Sequence, residues 1–552
     1  MSLKSQPPRA VPADTRRVAK AAFAKGNPYL TLRDELGPIF EDSDFTKLFS
    51  KVGQSAVPPW RLALITIMQF RENLSDRQAA EAVRSRIDWK YLLALKLTDT
   101  GFNYSVLSEF RDRLIAGEAE HLLLDKLLES CRMLKLVKAG GAQRTDSTHI
   151  LSAVRNLNRL ELVGESLRAA LNDLAVLAPE WLQQIAPNDW YDRYGRRIEN
   201  YRLPSKESER IAYAEQIGED GDYLLKCLAD SEIAVEGQAL DTVQTLVQLW
   251  QYHYSDGEGE DGCGLRWKSS RELSSQADCI ESPYDTEARY CRRQGISWVG
   301  YRTHISETCD DDSARLITHV MTTDARRHEA LCIEGIHEAL IDKQLRPTEH
   351  YVDAAYVDAL LLVSEQAKGI ETVGPARSDP SWQHRTEGAY GIADFEIDWQ
   401  TQRVTCPQGK LSRAWMQYQR ASGDPYLLVR FSNTDCRQCS VRHLCTRAKP
   451  PVGRTLHLLP QAAHEALTKA RAIHETTAGQ KRYRRRAGIE GTIAQGVGSY
   501  GLRQSRYIGQ AKTPLQNMAV GAALNIDRLF NWFQGMPKAK TRVSHFKALK
   551  TA

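Results

Sequence analysis

At Gly140-Gly141 the apolar periodicity of the chain changes from that of helices to that of short strands, and this change constrains the fold more than any other feature. Before it, from about Pro58 to Leu136, WRLALITIMQF, LSDRQAAEAVRSRIDWKYLLALKL and NYSVLSEFRDRL carry helix-period apolar residues, with Ser75 and Ser105 placed as N-caps. After it, AQRTDSTHI reads as a strand. Strand text resumes at ISWVGYRTHI, SARLITHVMTT and EHYVDAAY, followed by a helix near Val357 to Lys368 and a short strand in IETVGPA. Two interruptions separate these pieces. The first, from about Leu151 to Arg293, holds helical text (NRLELVGESLRAALNDLAVL, DTVQTLVQLWQYHY) and an acidic loop, SDGEGEDG, expected at the surface. The second carries a cysteine cluster. From about Glu475 the text is helical again, QKRYRRRAGIEGTIAQ, and a last helix is expected near Leu515 to Trp532.

With 552 residues the chain can build several hydrophobic cores. No apolar run reaches the roughly 20 residues of a membrane span, and MSLKSQPPRAVPADTRR lacks the apolar stretch of a secretory signal, reading instead as a flexible basic arm. A soluble, cytoplasmic protein is expected, nucleoid-associated when on DNA. The net charge of +5 is small, but it is unevenly placed. Six Lys/Arg face one Asp from Met1 to Lys25, nine face two acids from Arg471 to Lys512, and five face none from Pro537 to Ala552, so the remainder is acidic. A polyanion would therefore meet particular surfaces.

Without the interruptions the order is strand, strand, strand, strand, helix, strand, helix, which is that of a ribonuclease H-like α/β core. In that layout the first and fourth strands are neighbours, so an acid on each and a third on the last helix can converge. Asp146, Asp353 and Glu490 occupy those places. Three carboxylates sharing a small volume raise one another's pKa and call for hard cations, Mg²⁺ or Mn²⁺. Two such ions suit phosphodiester chemistry. Asp358, Asp310, Asp311 and Asp312 are rival acids away from the required strand end or helix face, Glu475 is an alternative to Glu490, and His149 reads as packing or supporting rather than ligating.

The segments GFNYSVLSEFRDRL, TDSTH, SAVRNLNRLELVGESLRAAL, WVGYRTHISETC, YVDAAYVDA, CPQGK with CRQCSVRHLC, and YRRRAGIEGTIAQ span nearly the whole chain. Together they resemble the DDE transposases of bacterial insertion sequences, in particular the eleven-eighty-two group of the insertion-sequence-four-like superfamily. The resemblance implies binding of terminal inverted repeats and target double-stranded DNA, metal-dependent cleavage and strand transfer by Asp146, Asp353 and Glu490, and a homo-oligomer, expected as a dimer on DNA. Superfamily members share Tyr, two residues, Arg, three residues, Glu. Here Tyr483, Arg486 and Glu490 have that spacing, which in a continuous helix puts all three on one face, so Arg486 would hold a DNA phosphate and Tyr483 would stack on or bond to the DNA end. Two departures stand out. Ala355 precedes Tyr356 where the family usually has Gly, and Val497 replaces a frequent Lys, leaving Arg503, Arg506 or Lys512 to supply that phosphate contact. A regulator that has lost catalysis and a nuclease that cleaves without joining are the rival readings.

Cys406, Cys436, Cys439 and Cys445 suit a structural Zn²⁺, with buried free thiols or a set using His443 as alternatives; the other seven cysteines are scattered. The expected organisation is an α/β protein. It has an arm and linker (1–57), an all-helical DNA-binding domain (58–139), a ribonuclease H-like mixed-sheet core (140–150, 294–380, 471–535), a mainly helical insertion (151–293), a cysteine-bearing insertion (381–470) and a basic tail (536–552).

Overall fold

The computed structural model describes residues 2–5, 10–257, 264–273, 279–377 and 379–537. Most of the basic tail, part of the acidic loop, Cys263 and residues 6–9 of the arm lie outside them. The N-terminal part is helical: α1 (Ala13–Ala22), α2 (Pro28–Leu36), α3 (Pro59–Arg71), α4 (Asp76–Ser85), α5 (Ile87–Leu92), α6 (Ser105–Ala116) and α7 (Leu122–Met133). Residues 13–36 were expected to be arm and linker, yet α1 and α2 are packed helices, because Tyr29 and Leu32 enter the core and Thr15 donates to the Leu95 carbonyl at 2.8 Å. Ser75 caps α4 in a capping box with Gln78. Ser105 does not cap α6: it is already helical, and Asn103 Oδ1 accepts its N–H at 2.9 Å.

After β1 (Ala142–Leu151) the first insertion runs through α8 (Arg159–Leu177), α9 (Pro179–Ile185), α10 (Asn188–Tyr194), α11 (Glu207–Ala229), α12 (Ala234–Gln238), α13 (Asp241–His253) and the hairpin β2 (Tyr254–Gly257) and β3 (Gly264–Trp267). Leu162, Leu167, Ile217, Leu246 and Trp250 give it a core of its own. The chain then returns through β4 (Arg289–Arg293), β5 (Ile296–Thr308), β6 (Ile317–Asp324), α14 (Ala330–Asp342), β7 (Glu349–Tyr351), α15 (Ala359–Ala367) and β8 (Glu371–Val373). These strands and β1 form one sheet in the order β4-β5-β1-β7-β8, with β6 pairing β5 on the same edge as β4. β5 is antiparallel to β1, whereas β1, β7 and β8 are parallel. Two features depart from expectation: β4 was assigned to the insertion but pairs with the main sheet, and α14 was not foreseen.

The second insertion holds β9 (Glu396–Asp398), β10 (Arg403–Thr405), β11 (Ser412–Gln419), β12 (Pro425–Phe431), the short helices α16 (Asn433–Gln438) and α17 (Arg442–Cys445), and β13 (Thr455–Leu458), around a small core of Phe395, Val429, Phe431 and Leu456. Four helices follow in sequence, α18 (Gln461–Glu475), α19 (Thr477–Tyr483), α20 (Gly488–Tyr500) and α21 (Lys512–Phe533).

The main sheet is covered on both faces, which is why β5 is buried from Trp298 to Thr308. Met321 of β6 faces α14, whereas Val320 meets Gly521 and Thr322 accepts from Asn517 of α21 on the opposite face. The N-terminal helices pack over α21, so residues from Tyr29 to Leu128 share one continuous hydrophobic core with the sheet and α21. Arg71 of α3 is paired with Asp527 of α21 at 2.6 Å. The helical N-terminal part is thus built into the core and is not a separately packed unit.

Candidate active site

The register of the parallel pair places the first two acids. Ala142, Gln143 and Arg144 of β1 pair with Glu349, His350 and Tyr351 of β7. Carried two residues past the paired stretch, the same offset brings Asp353, in the turn after β7, level with Asp146, whose side chain points to the face that carries α20. Asp146 is mostly buried, and its Oδ1 accepts the Ser147 N–H at 2.8 Å. Asp353 lies past the strand end in a tight turn, where Oδ1 accepts the Ala355 N–H at 2.9 Å. Alanine before Tyr356 is therefore compatible with this turn, whose positions 354 and 355 lie outside the positive-φ residues.

The third acid comes from the other side of the cleft. Arg486 donates from Nη2 to Asp146 Oδ2 at 2.6 Å and from Nη1 to Glu490 Oε1 at 3.0 Å, so one guanidinium bridges β1 and α20. Tyr483, Arg486 and Glu490 do not share one continuous helix. Tyr483 ends α19, a 3₁₀ turn spans Arg484–Ala487, and α20 begins at Gly488. Arg486 and Glu490 nevertheless meet directly, and Tyr483 stands close enough for the charges of Arg486, Asp353, Asp146 and Glu490 to act on its hydroxyl, whose pKa burial pushes up to about 12. His474 packs edge-on against the Tyr483 ring at 5.4 Å. Burial likewise pushes the Asp146 carboxyl up to about 6; Arg486 opposes this, while Asp353 and Glu490 add to it.

A buried network holds α20 in place. Glu307 of β5, fully buried, accepts Arg144 Nε at 2.6 Å on Oε1 and both Arg528 Nη1 and Thr492 Oγ1 at 2.6 Å on Oε2. Arg144 also donates to the Arg485 carbonyl at 2.7 Å. Space for that guanidinium requires Gly488, where a Cβ would lie 2.0 Å from Arg144 Nη1. On the opposite flank, Glu329 is buried between Arg293 and Arg302, Ser147 Oγ donates to it at 3.3 Å, and Arg293 Nη2 lies 3.8 Å from Asp353 Oδ2. None of these residues was foreseen, because their meeting depends on the strand pairing and on no local motif.

Of the expected phosphate contacts, Arg503 is near the site and donates to Thr148 Oγ1 at 3.1 Å on β1. Arg506 lies over Phe70 and donates to the Leu74 carbonyl, and Lys512 pairs with Asp112 at 3.0 Å, so both face the N-terminal helices. The rival acids have other tasks: Asp358 caps α15, Asp310 accepts the Ala142 N–H, and Asp311 and Asp312 pair with Arg315 and Lys138. Glu475 is exposed at the end of α18, and the His149 ring packs on Trp298 at 5.2 Å.

Cys406, Cys436, Cys439 and Cys445 line one pocket. Cys406 Sγ accepts the Lys410 N–H and Cys436 Sγ the Arg454 N–H, both at 3.4 Å. Burial pushes the Cys445 thiol up, and the other three thiols add to that. Among the described residues no three His, Cys, Asp or Glu side chains are gathered tightly enough to hold a metal ion as they stand. In the acid cleft Arg486 lies between Asp146 and Glu490.

Comparison with known families gives two matches. Residues 18–113, covering most of the N-terminal helices, match a transposase domain (DUF772), and residues 405–530, enclosing the cysteine cluster, Tyr483, Arg486 and Glu490, match a transposase DDE domain. No similar curated protein and no similar solved structure was found. No helix of the described residues is long and apolar enough to cross a membrane. Two transposase matches in one chain, at the N-terminal helices and at the part that brings Glu490 to the cleft, support a DDE transposase acting on DNA.

Proposed function

We propose that the chain is the transposase of an insertion sequence of the eleven-eighty-two group, with a ribonuclease H-like core. It binds terminal inverted repeats, cleaves phosphodiesters in a metal-dependent step and joins the freed ends to target DNA. The observation that carries this reading is the Arg486 bridge between Asp146 and Glu490 at the end of the β1–β7 pair, just past which the chain places Asp353. The pairing of β1 with β7 and the mixed strand directions support that reading.

The donor set fits a hard divalent cation, because three carboxylates from three elements face one cleft and crowding already acts on Asp146. Asp146, Asp353 and Glu490 would hold Mg²⁺ or Mn²⁺, two ions in our reading, and the bound metal would supply charge stabilisation at the attacking and leaving oxygens. The chain's own residues do the rest. Arg486 offers a forked contact to a phosphate beside the cut, Arg503 stands next to the same strand, and Tyr483 keeps its proton near neutral pH and can donate it in a hydrogen bond to the DNA end. Arg506 and Lys512 contribute indirectly, by fixing α21 and its preceding turn to the N-terminal helices. The four cysteines would have to draw closer together to hold a structural Zn²⁺; what supports the reading is that all four line one pocket and two of their sulfurs accept backbone N–H groups. Pairing two transposon ends calls for a dimer on DNA.

The test is cleavage of labelled repeat-end duplex in Mg²⁺ or Mn²⁺ beside a binding assay on the same samples. Asp146→Asn, Asp353→Asn and Glu490→Gln should each abolish cleavage and strand transfer while duplex binding persists. A Glu490→Gln protein that cuts near the parent rate would remove Glu490 from the site.

A further inference from the structure

Arg486 presents a problem of charge. It is the group that keeps the acid cleft from being a ready cation site: its side chain is 15% exposed, and it bonds Asp146 at 2.6 Å and Glu490 at 3.0 Å. Its third nitrogen, Nε, is buried and its N–H has no acceptor among the described residues. Two of the three guanidinium nitrogens are thus bonded to carboxylates, and the third is unsatisfied. A divalent cation taking oxygens from Asp146 and Glu490 would stand within a few ångströms of a fixed positive charge, so the two cannot occupy the place together at low cost. The side chain has room to leave, since Glu490 is 66% exposed and Arg486 sits on a 3₁₀ turn at the cleft's edge.

We propose that Arg486 is the resident counter-cation of the acid cleft and competes with divalent metal for Asp146 and Glu490, so that metal loading releases it to a DNA phosphate. This rests on the reading of Asp146, Asp353 and Glu490 as metal ligands. Its consequence is reciprocal coupling. DNA that draws Arg486 onto a phosphate raises metal affinity, and metal raises affinity for the DNA end by the same factor. The chain without DNA then loads metal poorly, which limits cutting away from a bound end. On the other flank Arg293 lies 3.8 Å from Asp353 but is held by Glu329, so it stays in place as the cleft loads.

The experiment measures Mn²⁺ binding by the electron paramagnetic resonance signal of free Mn²⁺, using the full chain stripped with chelator, with and without a short blunt duplex. Parent, Arg486→Gln, Arg486→Met, Arg486→Lys and Asp146→Asn proteins are compared after their folding is checked by circular dichroism. Removing the charge in Arg486→Gln and Arg486→Met should tighten Mn²⁺ binding without DNA by roughly tenfold or more, and Arg486→Lys should stay close to the parent. The duplex should tighten Mn²⁺ binding in the parent and not in Arg486→Gln. If Asp146→Asn abolishes Mn²⁺ binding but both neutral variants bind no more tightly than the parent, the competition is refuted while the metal site stands. If Asp146→Asn binds Mn²⁺ as the parent does, the cleft is not the metal site, and the functional reading falls along with the competition.

Discussion

Glu307 is the side chain on which the geometry of the candidate active site most depends, although it touches none of its three acids. Its two oxygens receive Arg144 from β1, Arg528 from α21 and Thr492 from α20, and Arg144 in turn holds the Arg485 carbonyl just before α20. Glu307→Gln keeps the shape but removes the charge and turns one acceptor into an N–H donor aimed at a donor. Two guanidiniums that are 6% and 15% exposed are then left without their counter-ion. Removing one partner of a buried pair costs about 3–5 kcal/mol, and because one oxygen remains we expect the lower end, about 3 kcal/mol. The chain has several hydrophobic cores, so a single melting temperature would mix transitions. The better assay is amide hydrogen exchange of Gly488–Tyr500 and Ala142–Leu151 in the full chain. A loss of about 3 kcal/mol carried by α20 corresponds to exchange roughly 100-fold faster there, with the core of the first insertion unchanged. Repeat-end cleavage should fall with it, because Glu490 and Arg486 move with α20. Unchanged α20 exchange in a folded Glu307→Gln protein would show that the network does not hold the helix and would refute the argument.

Gly488→Ala should destabilise, although Gly to Ala in a helix ordinarily gains about 0.5–1 kcal/mol; the new Cβ would press on a guanidinium pinned by Glu307, and a higher urea midpoint than the parent would contradict this. Asp146→Asn should stabilise the metal-free chain above pH 6. The folded pKa of about 6 lies above the ordinary carboxylate value of 3.8, so the stability contributed by the protonated form is present below about pH 4 and lost as pH rises through 6. The variant's advantage, about 2–3 kcal/mol at pH 8 in chelator, should shrink as pH falls toward 4; a pH-independent difference in amide exchange of Ala142–Leu151 would count against the shift. Cys439→Ser should lower stability if the thiol pocket holds zinc, with one zinc per chain by elemental analysis of parent protein prepared without chelator, and absence of zinc would favour free thiols.

What local sequence could convey about this cleft was limited by the length of the elements that build it. β1 is legible as a strand from AQRTDSTHI after the Gly140-Gly141 turn, but that text has no apolar alternation, and the strand is buried along most of its length, so the orientation of Asp146 comes from the pairing. β7 and β8 are legible in EHYVDAAY and IETVGPA, but they have only three residues each, so their order in the sheet is fixed by pairing, β7 with β1 and β8 with β7. The break at Arg484–Ala487 is likewise not local: nothing in YRRRAG disfavours a continuous helix, but Arg144, 341 residues earlier, takes the Arg485 carbonyl. β4 could not be separated from the insertion before it because RYCRR lacks an apolar alternation and is held only by the edge of β5.

The N-terminal helices carry the same lesson to the level of function. Their periodicity reads equally well as a detachable DNA-binding domain or as packing, and the structure shows Trp60, Leu64, Met68 and Phe70 buried in a core they share with Leu515, Leu524 and Leu529 of α21. A chain cut at Gly140 would expose that face of α21, so loss of DNA binding by such a fragment would report unfolding. Recognition of the DNA end must be probed on the intact chain, at side chains that the core does not need. Arg84 on α4, bonded to Glu81 and to the Thr100 carbonyl with its side chain 56% exposed, is such a position. Arg111 is not: it is buried in a forked pair with Asp76, and its loss would disturb packing first. If the end-recognition reading is right, Arg84→Ala should weaken duplex binding and flatten its salt dependence by about one phosphate contact, leaving thermal unfolding unchanged.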